Sequence, residues 1–474
     1  MKPNILLIIL DSVRARNTSL HGYEEETTPF LETLTADAEW YRQARAPGIH
    51  SVASHASIFT GHHVEEHGII HHESQLDPEE TIWSTLSERG YDTGIFTPNT
   101  VLTASSNLTA PFETVYGPKR DPKHRYFKTG ISPTDVEGHQ TNREYLLRCL
   151  KSDAPLRSIA NGFYFITGNR EEYDPAEEGA PEYVDAFFDW SDGRDRWAAC
   201  LNLMDAHYPY RADDAFESTG DNDLLALHDS LTSPISKEIA TTDSWWKLGA
   251  IERLYDDCIR QTDAAVANLV EGLQERGELD NTLLIVTSDH GDGFGEWSRV
   301  DPDVRAAYHS WGIHEVVTHV PLLVHHPGAG PTGPNNDLAS LTEFPSVVKT
   351  TLNEGVGSFA VEEYAFTSTY RLESPELMLP EECLHRERFA GPWRAVYKQD
   401  GDTVLKFATH GDRSTTLRIR DAQTSYRLSE TDEDPSALVQ QMYDKMEETD
   451  VATDRDKKLS DTVEDQLESL GYIR

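Results

Sequence analysis

Two short apolar runs, far apart in the chain, each end on an acid. Ile5 to Leu10 leads directly into Asp11, and Leu283 to Thr287 leads through Ser288 into Asp289, His290 and Gly291. Short continuous apolar runs of this kind are buried strands. In open α/β sheets, ligands and catalytic groups gather outside the carboxyl ends of the strands. If the two strands are neighbours, Asp11, Asp289 and His290 converge on one point, and three such side chains suit a divalent cation. Taken alone, Asp11 reads equally well as a turn former. An acid and a histidine together behind a buried strand are harder to place without a partner, because burying an unpaired charge is costly.

The chain around these runs alternates strand and helix. The pattern predicts strands over 4–10, 93–96, 197–204, 282–287 and 321–325. It predicts helices over 29–38, 51–60 (ended by Gly61), 81–89 and 248–276. Such alternation means an α/β fold with a mainly parallel sheet flanked by helices. From about 104 to 196 the signal fades. That stretch holds a basic run over 118–128, a helix near 143–150 and an acidic loop over 171–178, and it reads as an elaboration over one face of the sheet. Beyond about Gly357 short strands over 393–398, 403–409, 415–420 and 425–428 follow one another through turn residues, with a helix over 435–448. The expected division is therefore a catalytic domain over 1–357 and a smaller α+β subdomain over 358–474, with a charged stretch over 447–458 and a short amphipathic ending.

Charge narrows the partners. The chain carries 82 Asp and Glu against 42 Lys and Arg, a formal net charge of −40. Spread along the whole length, this excess reads as a solubilising surface suited to a high-salt cytoplasm, where screening acts over about 3 Å at 1 M. It excludes nucleic acid as a partner, since phosphate backbones require Lys and Arg stripes. The cysteines at 149, 200, 258 and 383 lack metal or redox spacing and read as small buried residues. No membrane span is evident. The first apolar run is too short for a signal peptide core and carries a candidate ligand, so the protein is expected in the cytoplasm.

A third element is Ser51-Val52-Ala53-Ser54-His55, at the predicted start of the 51–60 helix. Unpaired N–H groups there favour anions, although a serine at a helix start is also a common cap. With it the chain resembles the sulfatase family of the alkaline phosphatase superfamily. The resemblance is carried by Asn4 to Arg14, Leu20-His21-Gly22-Tyr23, Thr28-Pro29, Ser51 to Gly61 and His67-Gly68. It continues through Asn202 to Tyr210, Tyr255-Asp256, Ser288 to Gly291, His309, Glu315 to Pro321 and Leu470 to Ile473. It implies an alkaline-phosphatase-like fold, with Asp11, Asp289 and His290 as metal ligands and Ser51 as a metal-bound nucleophile. It also places His207 and His309 against the transferred group or the leaving oxygen. Asn99 and His55 are further candidates for substrate contact.

Two departures from the family pattern qualify this. Sulfatases carry Cys or Ser at the nucleophile position with Arg four residues later, and a maturation enzyme oxidises the nucleophile to formylglycine. Here His55 stands in the place of that Arg, which argues against conversion of Ser51 and for attack by an unmodified serine. Ser12 stands where many sulfatases have a second metal-binding Asp. One N-terminal Asp with Asp289-His290 is similar to the phosphonate monoester and phosphodiester hydrolases of the superfamily. It shifts metal preference from calcium toward manganese or zinc. The histidines at 21, 62, 63, 71 and 72 read as polar loop residues rather than a second metal site. The resemblance thus implies a metal-dependent hydrolase of small or glycan sulfate esters, with phosphate esters, group transfer to an alcohol, or a metal-binding protein without turnover as alternatives.

Overall fold

The computed structural model describes residues 2–118 (73 excepted), parts of 149–160, 179–218, 222–231, 245–330, 333–372, 379, 383 and 385–453. The basic run over 119–128, most of the helix expected near 143–150, the acidic loop over 171–178 and the ending over 463–473 lie outside these residues.

The main sheet has eight strands: β1 (Asn4–Leu10), β2 (Glu39–Arg45), β3 (Asp92–Phe96), β4 (Thr114–Tyr116), β5 (Trp197–Leu203), β6 (Thr282–Thr287), β7 (Leu322–His325) and β8 (Pro334–Ser340). Their order is β8-β2-β7-β6-β1-β5-β3-β4. All pairings are parallel except the two made by β7, which runs against both β6 and β2. β1, β5 and β6 are buried along their whole length. This is why they read as unbroken apolar runs rather than alternating ones. Alternation survives in which face each side chain fills. Leu6, Ile8 and Leu10 join one core with α4 (Ala180–Ser191) and the 31-residue α5 (Trp245–Glu275). Ile5, Leu7 and Ile9 join the other, with α2 (Ser51–Thr60), α3 (Ile82–Glu88) and α6 (Phe344–Leu352). On α5 the buried residues Leu248, Ile251, Tyr255, Cys258, Thr262 and Leu269 follow helical spacing.

Three strands of this sheet were not anticipated. β2 carries Glu, Arg and Gln, yet Gln43 and Arg45 are buried because they bond one another and face Glu315. β8 is a polar edge strand that begins on Pro334, a position tolerant of proline. β4 has only three residues. The helix expected over 29–38 stops at Leu34, as α1 (Pro29–Leu34), and frees the chain to enter β2 at Glu39. All four cysteines are buried thiols, as expected.

A second sheet lies C-terminal to the first. β9 (Tyr364–Thr369), β10 (Trp393–Asp400), β11 (Thr403–His410), β12 (Arg413–Ile419) and β13 (Ser425–Arg427) are antiparallel in sequential order. Its tight hairpins turn at Gly401-Asp402 and Gly411-Asp412, where each glycine has positive φ; such φ favours glycine in two-residue turns. α7 (Pro435–Tyr443), capped by Asp434, seats Leu438, Val439 and Tyr443 on Val396 and Phe407.

Buried polar contacts hold this sheet against the main one. Lys406, fully enclosed, places Nζ 2.7 Å from Glu315 Oε1 and also donates to the Ile313 carbonyl. Thr367 Oγ1 donates to Ala46 O at 2.5 Å, and Ser368 N to Pro47 O at 3.1 Å, just ahead of α2. Removing one partner of a buried ion pair strands the other charge. Lys406→Ala is therefore expected to lower unfolding free energy by about 3 kcal/mol in denaturant titrations, while the apolar double replacement Lys406→Met with Glu315→Leu costs less. Equal losses in the two variants would show that Lys406 acts through packing alone.

Candidate metal and catalytic site

The register of the central strands creates the site. β1 pairs with β5 at Leu10↔Leu203 and with β6 at Ile9↔Thr287. Asp11 and Asp289 therefore leave adjacent strands at nearly the same level. Ligand-type atoms of Asp11, Asp289 and His290 all lie within 4.8 Å of one another, fully buried. Gly291 must lack a side chain, since a Cβ there would stand 2.2 Å from Val316 O and 2.5 Å from Arg14 Cβ.

The donor set fits a divalent cation. Asp289 Oδ2 and His290 Nε2 are enclosed without a hydrogen-bond partner and stand 3.4 Å apart. His290 Nδ1 faces the Gly291 carbonyl at 3.2 Å, which makes Nε2 the ligand atom. Burial and the charge of Asp11 push the Asp289 carboxyl well above its ordinary range, against the amides of Ser12 and His290. Burial also works against ionised Asp11, but His207, His290 and the Asn202 amide outweigh it and hold Asp11 below its usual value. Ser12 adopts a left-handed conformation (φ 67°), with its hydroxyl 3.1 Å from Asp11 Oδ1 and its amide 3.3 Å from Asp289 Oδ1.

Ser51 is the first residue of α2, with His50 as N-cap. Asn99, beyond β3, bridges the serine to the acid: its Nδ2 lies 3.0 Å from Asp11 Oδ2 and 3.4 Å from Ser51 Oγ. Asn202, at the end of β5, donates to the same Asp11 oxygen at 3.0 Å. His55, one turn along α2, directs Nδ1 to Ser51 O at 2.8 Å and lies 3.6 Å from Asp289 Oδ2. Its Nε2 is enclosed without a hydrogen-bond partner.

His207 and His309 complete the pocket, with ring centroids 5.3 Å apart; His309 is 4.4 Å from His290. His207 Nδ1 donates to Tyr208 O at 2.6 Å. Burial depresses the pKa of both rings, opposed at His207 by Asp11 and reinforced at His309 by the charges of His290 and Arg371. Asp11, Ser51, His55, Asn99, His207, Asp289, His290 and His309 all stand at this edge.

Four neighbours were not anticipated as site residues: Asn202, Asp292, Tyr210 and Arg371. Asn202 and Tyr210 stand inside a motif already recognised and Asp292 directly follows another, so their signal was present but carried no role. Arg371, whose Nη1 donates to His309 O at 3.1 Å, comes from the C-terminal sheet and had no signal. His290, Asp292 and His309 form a second convergent group. The histidines at 62, 63, 71 and 72 belong to neither group among the described residues.

Comparison with known proteins gives this arrangement a family context. The family model described as Sulfatase matches residues 3–351. An arylsulfatase of Clostridium perfringens is 24% identical over 353 residues, covering 69% of each chain. Arylsulfatase K of Canis lupus familiaris is 20% identical over 351 residues, covering 72% of this chain and 62% of its own. Among solved structures, the phosphonate monoester hydrolase of Agrobacterium radiobacter superposes with a TM-score of 0.60 at 17% identity, covering 94% of both chains. A protein in complex with its substrate D-glucosamine-2-N,6-O-disulfate gives 0.57 at 14% identity, covering 88% of this chain and 91% of its own. At these identities the structural likeness speaks for the fold.

The carboxyls make stability depend on pH and metal together. Burial pushes Asp292 up to about 7 from 3.8, with Asp11 adding to the shift, and Asp289 moves in the same direction. A carboxyl raised in the folded state favours folding below its unfolded pKa and loses that contribution as pH climbs through the folded value. Asp11 contributes in the opposite sense. Without metal, the melting temperature is expected to fall between about pH 4 and 7 through Asp292, with Asp289 acting in the same direction. A cation must displace the Asp289 proton, so added manganese should raise the melting temperature more at pH 8 than at pH 5. A metal shift independent of pH, or one retained in Asp289→Asn, would remove Asp289 from the ligand set.

Proposed function

Because the chain belongs to the sulfatase family, whose members hydrolyse sulfate esters, we propose that it does so with one divalent cation and an unmodified Ser51 as nucleophile. The observation that carries this reading is the Asn99 bridge, which holds Ser51 Oγ and the Asp11 carboxylate around one point at the start of α2.

Asp11, Ser51, Asp289 and His290 would hold the cation, which supplies charge withdrawal from the transferred group and a lower pKa at the serine hydroxyl. Ser51 Oγ gives up its proton to solvent and attacks sulfur; an Oγ–S bond forms as the bond from sulfur to the ester oxygen breaks. The first N–H groups of α2, the Asn99 amide and His55 face the sulfuryl oxygens. His207, with Nδ1 anchored on its own chain, and His309 serve the departing oxygen, which must gain a proton. Water then cleaves the sulfated serine and restores Ser51.

The substrate class fits small or glycan esters, as D-glucosamine-2-N,6-O-disulfate is for one structural neighbour. Among the described residues no helix is long and apolar enough to cross a membrane. The buried thiols and acidic excess support an enzyme of a reducing, salt-rich cytoplasm. A second reading, hydrolysis of phosphodiesters or phosphonate monoesters, is favoured by Ser12, which places a neutral hydroxyl beside Asp11.

Turnover of 4-nitrophenyl sulfate and of an aryl phosphonate monoester, each titrated with manganese, separates the two readings by their kcat/KM. Ser51→Ala is expected to lower kcat by about 10³-fold or more on the preferred ester. Full activity in that variant would remove Ser51 from the chemistry. Intact mass of the Ser51 peptide should match plain serine; loss of two hydrogens would show formylglycine instead.

A further inference from the structure

The structure assigns Asp292 and Tyr210 as positioning residues that hold His309 toward the departing ester oxygen, an assignment that rests on the reading of His309 above. His309 Nδ1 lies 2.6 Å from Asp292 Oδ1, and Tyr210 OH donates to Asp292 Oδ2 at 2.7 Å. All three are buried. With Nδ1 committed to the carboxyl, the ring turns Nε2 away from Asp292. The orientation and tautomer of His309 are then set by a neighbour, not by the substrate.

The backbone fixes the pair before any ligand arrives. Gly293 and Tyr308 exchange hydrogen bonds, N to O at 3.0 and 2.8 Å, so that Asp292 and His309 stand opposite one another one step along the ladder. Gly293 permits this approach, since a Cβ there would lie 2.3 Å from Ala306 Cβ. Arg14, wholly enclosed, donates Nη1 to the Asp292 carbonyl at 3.0 Å and pins the loop from behind. Tyr210 belongs to the segment that carries His207, so one carboxyl ties both imidazoles to the loop that bears Asp289 and His290.

The rival account of His290, Asp292 and His309 is a second metal ion. It is disfavoured by how the atoms are used: both Asp292 oxygens already have partners, and His290 Nε2 faces Asp289. A relay needs one strong hydrogen bond on each carboxyl oxygen, which is what Asp292 has.

A positioning role acts on proton delivery, so its loss should weigh most on poor leaving groups. In the manganese-loaded enzyme, Asp292→Asn is expected to lower kcat about 10²-fold for an alkyl sulfate. It should lower kcat far less for 4-nitrophenyl sulfate, with KM little changed. Tyr210→Phe should show the same selectivity at smaller amplitude, which keeps the test open if the asparagine variant folds poorly. In a His309→Ala background, Asp292→Asn should add little, because the two act as one unit. Metal content should stay at one equivalent per chain in wild type and both variants. Equal losses across leaving groups, an additive double variant, or a second equivalent of manganese lost with Asp292 would overturn the assignment. A selective loss in His309→Ala with none in Asp292→Asn would overturn it while leaving the proposed function standing. No leaving-group effect in His309→Ala would take down both.

Discussion

Two buried carboxylates brought face to face are the constraint to which the rest of this molecule answers. Parallel pairing of β1 with β6 leaves Asp11 and Asp289 no room to avoid one another. With effective dielectric near 20, two ionised carboxylates at such a distance repel by about 3–4 kcal/mol. The fold accommodates this asymmetrically: Asn99, Asn202 and nearby imidazoles favour charge on Asp11, while burial and the charge of Asp11 disfavour charge on Asp289. A cation relieves both burdens together.

The C-terminal sheet is more than an appendage to this arrangement. Its first strand bonds Ala46 and Pro47, the residues that feed Ser51 into α2, and its third strand pairs Lys406 with Glu315 between His309 and β7. The turn after β9 sends Arg371 to the His309 carbonyl. Ser51 and His309 are therefore each braced by a sheet that contributes neither. Rigid support of this kind limits loss of rate through small misplacement.

Much of this was legible in the chain. The central strands announced themselves because burial on both faces removes the need for polar alternation, and the hairpins of the second sheet because Gly-Asp turns are locally specified. β2 and β8 were hidden for the converse reason. Gln43 and Arg45 are inside only because partners from distant segments satisfy them, and no local pattern encodes a partner. The same holds within the site. Asp11, Ser51 and Asp289-His290 could be read from their places at strand ends and a helix start, whereas Arg371 depends on how two sheets dock. Asp292 lay in plain view two residues past His290, but its meaning required knowing that residue 309 returns beside it.

The reversed strand β7 explains why that return is so economical. A parallel successor to β6 would force the chain to cross to the opposite end of the sheet and come back through a helix. Because β7 starts where β6 stops, at Leu322 opposite Thr287, the whole stretch over 288–321 remains on the reactive edge. Asp289, His290, Asp292 and His309 follow one another along it. The reversed strand thus keeps Asp289, His290, Asp292 and His309 on a single stretch of chain at one edge of the sheet.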